Sequence, residues 1–318
     1  MKGKVVIGAA LVIIGLPVVL ALIAVGSFYA LFYVPNEASG TIVSAGRKRE
    51  YLLYVPGSYD RTKPTPLVIS MHGAMLWPAS QMETSHWNTL ADEYGFIVVY
   101  PSGTTMRGGG TGAWPKAWFM AGAGHPSRMP DVRFISELID TLGAAYHIDP
   151  TRIYANGLSN GGGMAFVLSC ALSHRVAAVG AVAAAQALPS SWCAGQRPVP
   201  MIAFHGTGDR LVPYSGAPPS WLSPKPFPNV SIWTADWARR NQCGPSPIES
   251  LVAADVTRLE FTGCADDAAV VLYTILGGGH SWPGGKPMPA WLVGRTSRSI
   301  DATREMWAFF REHQLPRK

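Results

Sequence analysis

Residues 152–164 read Arg152-Ile-Tyr-Ala-Asn-Gly-Leu-Ser-Asn-Gly-Gly-Gly-Met164, and this stretch decides the fold. It joins a short apolar run, a Gly-x-Ser-x-Gly turn centred on Ser159, and a helix-like segment from about Gly161. A serine on so tight a turn between strand and helix is presented to a substrate, and the helix N-terminus favours negative charge beside it. The pattern predicts that Ser159 is a nucleophile. Because the chain contains 34 glycines, an ordinary turn is the alternative.

Strand and helix patterns alternate on both sides of this stretch. Strands are predicted at 41–55, 66–72, 95–100, 176–184, 199–205 and 269–276, and helices at 79–94, 130–142, 230–241 and 299–313. Such alternation is typical of a mostly parallel sheet with helices on both faces. The apolar strands lack a two-residue repeat, which fits burial on both sides. The sequence therefore predicts a doubly wound α/β fold over residues 36–318.

A serine hydroxyl needs a neighbouring base to become nucleophilic, and one histidine is well placed for this role. His280 follows the predicted strand 269–276, in the run Gly277-Gly-Gly-His-Ser-Trp-Pro283. A loop at that position can reach back to a serine at the same edge of the sheet. Structural roles are expected for three other histidines, which are His174, His205 and His313.

The acid that orients the base is expected between the serine and the histidine, the chain order of the α/β-hydrolase fold. Asp209 fits because it follows the predicted strand 199–205 in Phe204-His-Gly-Thr-Gly-Asp209. A buried carboxylate there would fix the imidazole tautomer and stabilise the protonated ring. Four other aspartates also lie between Ser159 and His280 in the sequence, and solvated positions are expected for them: Asp236, Asp255, Asp266 and Asp267.

Two backbone N–H groups are expected to stabilise the oxyanion of the reaction. One belongs to Asn160, directly after the serine, and the other is predicted at Ala74, after the strand that ends in Met71-His72-Gly73. An ordinary strand-ending turn is the alternative for Ala74. We expect the His72 side chain to be structural.

These residues together predict ester hydrolysis by double displacement. His280 takes the proton of Ser159, the serine attacks an ester carbonyl, and water hydrolyses the acyl-enzyme. No metal or organic cofactor is implied, and no Cys or His cluster has zinc-ligand spacing. The alternative functions are an acyltransferase that acts on a cell-envelope alcohol and a non-catalytic binding module.

Several motifs resemble the esterase/polyhydroxybutyrate depolymerase family of secreted α/β-hydrolases, which also includes feruloyl and acetyl xylan esterases. They lie between about Tyr51 and Trp282 and comprise His72-Gly73, residues 149–164, His205-Gly-Thr-Gly-Asp209, residues 237–243 and residues 278–284. The resemblance implies an extracytoplasmic carboxylic ester hydrolase of the α/β-hydrolase fold. It implies the same roles for Ser159, Asp209 and His280, and a Cys243–Cys264 disulfide.

Two loops depart from the family pattern and bear on the substrate. Members often carry Cys where this chain has Ala74, and a Cys-bearing loop where it has Ala121-Gly-Ala-Gly-His125. No polymer-binding domain or Ser/Thr-rich linker is visible, which favours a soluble or oligomeric ester over a solid polyester. Trp114, Trp118 and Trp282 are predicted to line a cleft for an aromatic or sugar ring, and core packing is the alternative.

Residues 1–35 are predicted to form a separate transmembrane or signal segment. Residues 5–34 carry no charge, follow Lys2 and Lys4, and exceed the about 20 apolar residues that span a bilayer. A signal-anchor is favoured over a cleaved signal peptide, whose apolar region is usually roughly 7–15 residues. Both alternatives make the membrane a partner of this segment and place residues 36–318 outside the cytoplasm, secreted or membrane-anchored.

Charge and cysteine content complete the predictions. The net charge is +6, but the basic residues are scattered, so nucleic-acid binding is not predicted. Four cysteines in an exported chain suggest disulfides, and three pairings are possible. Proximity in the sequence favours Cys170–Cys193 and Cys243–Cys264, with free buried thiols as the alternative.

Overall fold

The computed structural model describes residues 18–27, 29–30, 33, 35, 38–105, 116–118, 129–185, 190–219 and 226–316. The chain divides into two units, Met1–Pro35 and Asn36–Lys318. In the first unit, residues 18–27 and 29–30 are helical. Within the described ranges, no helix has both the length and the apolar character needed to cross a bilayer. Much of the predicted N-terminal segment lies outside the described residues.

A 10-stranded sheet, counted over the described residues, organises the second unit. Its strands are β1 (Gly40–Ser44), β2 (Arg47–Tyr54), β3 (Thr65–Met71), β4 (Ile97–Pro101), β7 (Ile148–Leu158), β8 (Ala178–Val182), β9 (Met201–Gly206), β10 (Ile248–Ala253), β11 (Val256–Phe261) and β12 (Val270–Ile275). A separate pair contains β5 (Thr104–Thr105) and β6 (Lys116–Ala117). The order across the large sheet is β1-β2-β4-β3-β7-β8-β9-β12-β11-β10.

The centre of this sheet is parallel and its two edges are antiparallel. Pairings are parallel from β4 through β3, β7, β8 and β9 to β12, and antiparallel at β1, β2, β11 and β10. Every residue of β3, β4, β8 and β9 is buried. Strands buried on both faces require helices on both sides, which confirms the predicted doubly wound fold.

Helices cover both faces of the sheet. They are α1 (Pro78–Ser85), α2 (Trp87–Tyr94), α3 (Pro130–Ala145), α4 (Asn160–Ala171), α5 (Val230–Arg240), α6 (Ala290–Val293) and α7 (Ala302–Phe310). Neighbouring residues of β7 pack on opposite faces of the sheet. Ile153 belongs to the core that includes residues of α3, α4 and α5. Tyr154 instead stacks on Phe310 of α7, with ring centroids 4.9 Å apart, and Phe310 stacks on Trp87 of α2.

Three elements differ from the sequence predictions. The predicted strand 41–55 is a hairpin of β1 and β2, with Ala45 and Gly46 at positive φ in its turn. The predicted helix 79–94 is divided into α1 and α2 at His86, which has φ 57°. Single left-handed residues leave no periodicity signal, so the sequence pattern passes over them. The β10–β11 hairpin was not predicted, because β10 is an exposed edge strand without alternating burial.

Both predicted disulfides are confirmed. Cys170 at the end of α4 pairs with Cys193, and Cys243 after α5 pairs with Cys264 after β11. The bonds join residues separated by 23 and 21 positions in the sequence. Structural disulfides persist in oxidising compartments, so this pattern fits an extracellular location.

Candidate active site

Ser159 occupies a strained turn between β7 and α4. Its backbone has φ 54° and ψ −119°, a conformation that costs a non-glycine residue about 1–3 kcal/mol. Strain of this kind persists where the surrounding structure imposes it, and it clusters at active sites. The turn leaves the Ser159 side chain partly exposed at the carboxyl end of β7.

The two glycines of the motif allow backbone segments to touch around this turn. A Cβ at Gly161 would lie 2.2 Å from Met71 O and 2.6 Å from His72 O, at the end of β3. A Cβ at Gly157 would lie 2.4 Å from the carbonyl carbon of Gly161. Side chains at either position would force β3, β7 and α4 apart, so the spacing of the motif has a steric cause.

Asp209 and His280 form a buried hydrogen-bonded pair. Asp209 follows β9 and His280 follows β12, and His280 Nδ1 lies 2.8 Å from Asp209 Oδ2. The other carboxylate oxygen, Oδ1, accepts the backbone N–H groups of Leu211 and Val212, each at 2.8 Å. An ionised carboxylate only accepts hydrogen bonds, so Nδ1 carries the proton in this arrangement and Nε2 is left as the basic nitrogen.

The environment of Asp209 keeps its carboxyl group ionised. Burial raises the pKa of Asp209, but hydrogen bonds from His205 and His280 and the charges of these two residues outweigh burial. The net effect holds the pKa of Asp209 well below its ordinary value. Asp209 is therefore an anion throughout the neutral range and can stabilise a protonated imidazole.

The sheet topology brings Ser159, Asp209 and His280 to one edge. Strands β7, β8, β9 and β12 are parallel neighbours, and each of the three residues follows the carboxyl end of one of them. The three strand spacings from β12 to β7 amount to about 14 Å, and the chain from Ile275 to His280 can extend about 17 Å. Within the described residues, no hydrogen bond joins Ser159 Oγ to His280; such bonds are often long before a substrate binds.

The turn after β3 contacts the serine turn. A Cβ at Gly73 would lie 3.6 Å from Ser159 Cβ, so the two turns are in contact. Ala74 follows Gly73 and Asn160 follows Ser159, which places both residues beside this contact. Neither the Ala74 N–H nor the Asn160 N–H donates a hydrogen bond to another group in the described part of the chain.

The region of β6 connects these two turns. Lys116 O accepts the backbone N–H of Met75 at 2.8 Å. The backbone N–H of Trp118 donates to Asn160 Oδ1 at 2.6 Å, and Asn160 Nδ2 donates to Trp118 O at 3.1 Å. Met75, which follows Ala74, and Asn160 are thus both tied to one short segment, which limits their relative movement.

His72 is fully buried beneath the same turn. Its Nδ1 lies 2.8 Å from Gly73 O, and its Nε2 accepts the Gly103 N–H at 3.0 Å. Burial is the main cause that lowers the pKa of His72 to about 3, outweighing the hydrogen bond to Gly73 O. A neutral ring with both nitrogens engaged cannot act as a base, which agrees with the structural role expected for His72.

The tryptophans predicted to contact substrate are buried. Trp118 is 2% exposed and donates from Nε1 to His72 O at 3.0 Å. Trp282 is 1% exposed and donates from Nε1 to Thr303 Oγ1 at 2.9 Å. Their burial favours the alternative of core packing and loop anchoring. Trp114 lies outside the described residues.

Two residues near the site were not assigned a functional role from the sequence. His205 places Nε2 3.4 Å from Asp209 Oδ2, and only its position four residues before the acid hinted at this. Trp291 of α6 is 73% exposed, and nothing in the sequence distinguishes it from the buried tryptophans. In the described part of the chain, no group of three or more His, Cys, Asp or Glu residues is arranged to hold a metal ion.

Comparison with known proteins places the chain among esterases. A family model described as "Esterase PHB depolymerase" matches residues 49–188. The putative esterase NocK of Nocardia uniformis subsp. tsuyamanensis is 31% identical over 281 residues, which cover 81% of this chain and 78% of that protein. Feruloyl esterase B of Piromyces equi is 30% identical over 75% of this chain, but only 44% of that protein is covered.

A solved structure resembles the fold. The acetyl xylan esterase from Aspergillus awamori matches 85% of this chain and 98% of its own, with a TM-score of 0.60 and 14% identity. Because the sequence identity is only 14%, the similarity supports the fold alone. The similarity confirms the predicted α/β-hydrolase fold. The chain belongs to the esterase PHB depolymerase family of carboxylic ester hydrolases.

Proposed function

We propose that this protein is an extracytoplasmic serine esterase that hydrolyses carboxylic esters through Ser159, His280 and Asp209. The observation that carries the proposal is the buried 2.8 Å hydrogen bond between His280 Nδ1 and Asp209 Oδ2. It lies at the same sheet edge as the strained Ser159 turn. A strained nucleophile, a tautomer-fixed imidazole and a buried carboxylate are the components of a serine hydrolase.

Each residue has one role in the proposed reaction. Asp209 holds the proton on His280 Nδ1, so Nε2 accepts the Ser159 proton as the hydroxyl attacks the ester carbonyl. The N–H groups of Asn160 and Ala74 stabilise the oxyanion. His280 then protonates the leaving alcohol, and it later activates the water that releases the acid from Ser159.

The cellular location proposed here follows from two features. The disulfides Cys170–Cys193 and Cys243–Cys264 fit an oxidising compartment. The uncharged run at residues 5–34 is a signal or an anchor that exports residues 36–318. Such a location favours soluble or oligomeric esters outside the cell as substrates.

The proposal is tested with an ester panel and a covalent probe. We expect the domain of residues 36–318 to hydrolyse short nitrophenyl esters or methyl ferulate faster than a polyhydroxybutyrate film. A fluorophosphonate should inactivate it with one label, which peptide mass spectrometry locates on Ser159. Release of the free acid, with no transfer of the acyl group to an added alcohol, would indicate hydrolysis rather than acyl transfer. Labelling at another residue, or no turnover of any ester, would contradict the proposal.

Trp291 is proposed to contact the substrate in place of the buried tryptophans. Helix α6 touches the loop that carries the base, since His280 N–H donates to Val293 O at 2.5 Å. An indole that is 73% exposed beside this loop presents a flat apolar face to which an aromatic ring can stack.

Replacing Trp291 with alanine is expected to raise KM for methyl ferulate about 3- to 10-fold, because one ring–ring contact is lost. The kcat value should change little, and Trp291→Phe should keep most of the affinity. Leu251→Ala is the matched control, since Leu251 is 72% exposed on the edge strand β10. Equal KM values for Trp291→Ala and Leu251→Ala would contradict the contact.

A further inference from the structure

The buried His205 side chain is a titratable group to which the proposed reaction assigns no role. It lies near the carboxyl end of β9, four positions before Asp209, and is 2% exposed. Its Nε2 lies 2.8 Å from Val212 O. A carbonyl oxygen only accepts hydrogen bonds, so Nε2 carries a proton and donates it.

The same nitrogen lies close to the carboxylate of the acid. His205 Nε2 lies 3.4 Å from Asp209 Oδ2, the oxygen that accepts His280 Nδ1–H at 2.8 Å. Two imidazole nitrogens therefore lie within 3.4 Å of one carboxylate oxygen. The hydrogen bond of His205 Nε2–H goes to Val212 O, and its approach to Oδ2 adds the attraction between an N–H dipole and a charged carboxylate.

A closed set of contacts results. Val212 donates its N–H to Asp209 Oδ1 at 2.8 Å and accepts His205 Nε2–H at its carbonyl. His205 thus holds the turn of residues 209–212 from one side and the Asp209 carboxylate from the other. Rotation of the carboxylate would break contacts on both oxygens at once.

We propose that His205 is a positioning residue of the active site, which orients the Asp209 carboxylate so that Oδ2 meets His280 Nδ1. The inference rests on the proposed function, because it assigns His205 a role only through Asp209 and His280. A histidine that served packing alone would need only the Val212 carbonyl; the approach to Oδ2 is what indicates a role in the reaction. The pKa of Asp209, held low partly by the neighbouring His205, is consistent with this role.

The test compares a variant without the donor and one that keeps it. His205→Leu should lower kcat for a nitrophenyl ester about 10- to 100-fold, the effect of one hydrogen bond to a charged group, with KM nearly unchanged. His205→Gln places an amide N–H near the position of Nε2 and should retain kcat within about 3-fold of wild type. The proton NMR signal of His280 Nδ1–H should broaden or shift in the Leu variant and persist in the Gln variant.

Two controls separate positioning from folding. Tyr214→Phe keeps the ring that packs edge-on against His205, with centroids 5.9 Å apart, and removes only the hydroxyl that bonds Ser231 and Thr274, so it should leave kcat unchanged. In an Asp209→Asn background, His205→Leu should cause little further loss, because its effect passes through the carboxylate. Thermal melting establishes that each variant is folded.

The outcomes distinguish this inference from the proposed function. Full kcat in folded His205→Leu, equal losses in the Leu and Gln variants, or additive losses with Asp209→Asn would each overturn the role of His205. If Ser159→Ala retains activity, the proposed function itself fails. If Ser159→Ala is inactive while His205→Leu is unaffected, only the inference on His205 fails.

Discussion

Ser159→Ala is expected to lower kcat for every ester that the protein hydrolyses by at least about 10⁴-fold. The alanine variant keeps the turn, the imidazole–carboxylate pair and the backbone N–H groups but has no oxygen to form an acyl-enzyme. The residual rate then comes from binding and oxyanion stabilisation alone. Because alanine also has a Cβ, the strain at φ 54° remains, and the melting temperature should change little.

The measurement is initial-rate hydrolysis of a nitrophenyl ester, with fluorophosphonate labelling as a second readout. Ser281→Ala is the matched control, because Ser281 directly follows the proposed base and its hydroxyl bonds only Arg295 O, at 3.3 Å, among the described residues. We expect Ser281→Ala to retain kcat within about 3-fold. Retention of more than a tenth of wild-type kcat by Ser159→Ala would remove Ser159 as the nucleophile.

The second large effect is expected at the acid, where Asp209→Asn should lower kcat about 10⁴-fold at neutral pH. The N–H groups of Leu211 and Val212 point at the Oδ1 position, so the amide oxygen must occupy it. The amide NH₂ group then faces His280 Nδ1 and donates to it. This forces the imidazole proton onto Nε2, which can no longer accept the proton of Ser159.

Asp255→Asn is the control for Asp209→Asn. Asp255 is ion-paired with Arg295, with Oδ2 2.8 Å from Nη2, and among the described residues its carboxylate bonds none of Ser159, Asp209 and His280. We expect this control to retain kcat within about 3-fold. Steady-state kinetics and thermal melting are measured on both variants. A folded Asp209→Asn variant with kcat similar to that of Asp255→Asn would show that Asp209 does not orient the base.

Local sequence patterns were sufficient for the general architecture. The apolar runs that became β3, β4, β9 and β12 were predicted because strands buried on both faces need continuous apolar sequence. The disulfides followed from proximity in the chain. Breaks at Ala45 and His86 were missed, because each depends on the φ angle of one residue, which hydrophobic periodicity does not encode.

For the candidate site, the sequence by itself determined the residue types and their order: a serine between glycines, then an aspartate, then a histidine, each after a strand. Tertiary structure alone decided which side chains surround them. It buried Trp118 and Trp282, exposed Trp291, and set His205 beside the carboxylate of Asp209. The physical reason is that motifs are local, whereas burial and hydrogen-bond partners depend on which loops meet when distant strands become neighbours in the sheet.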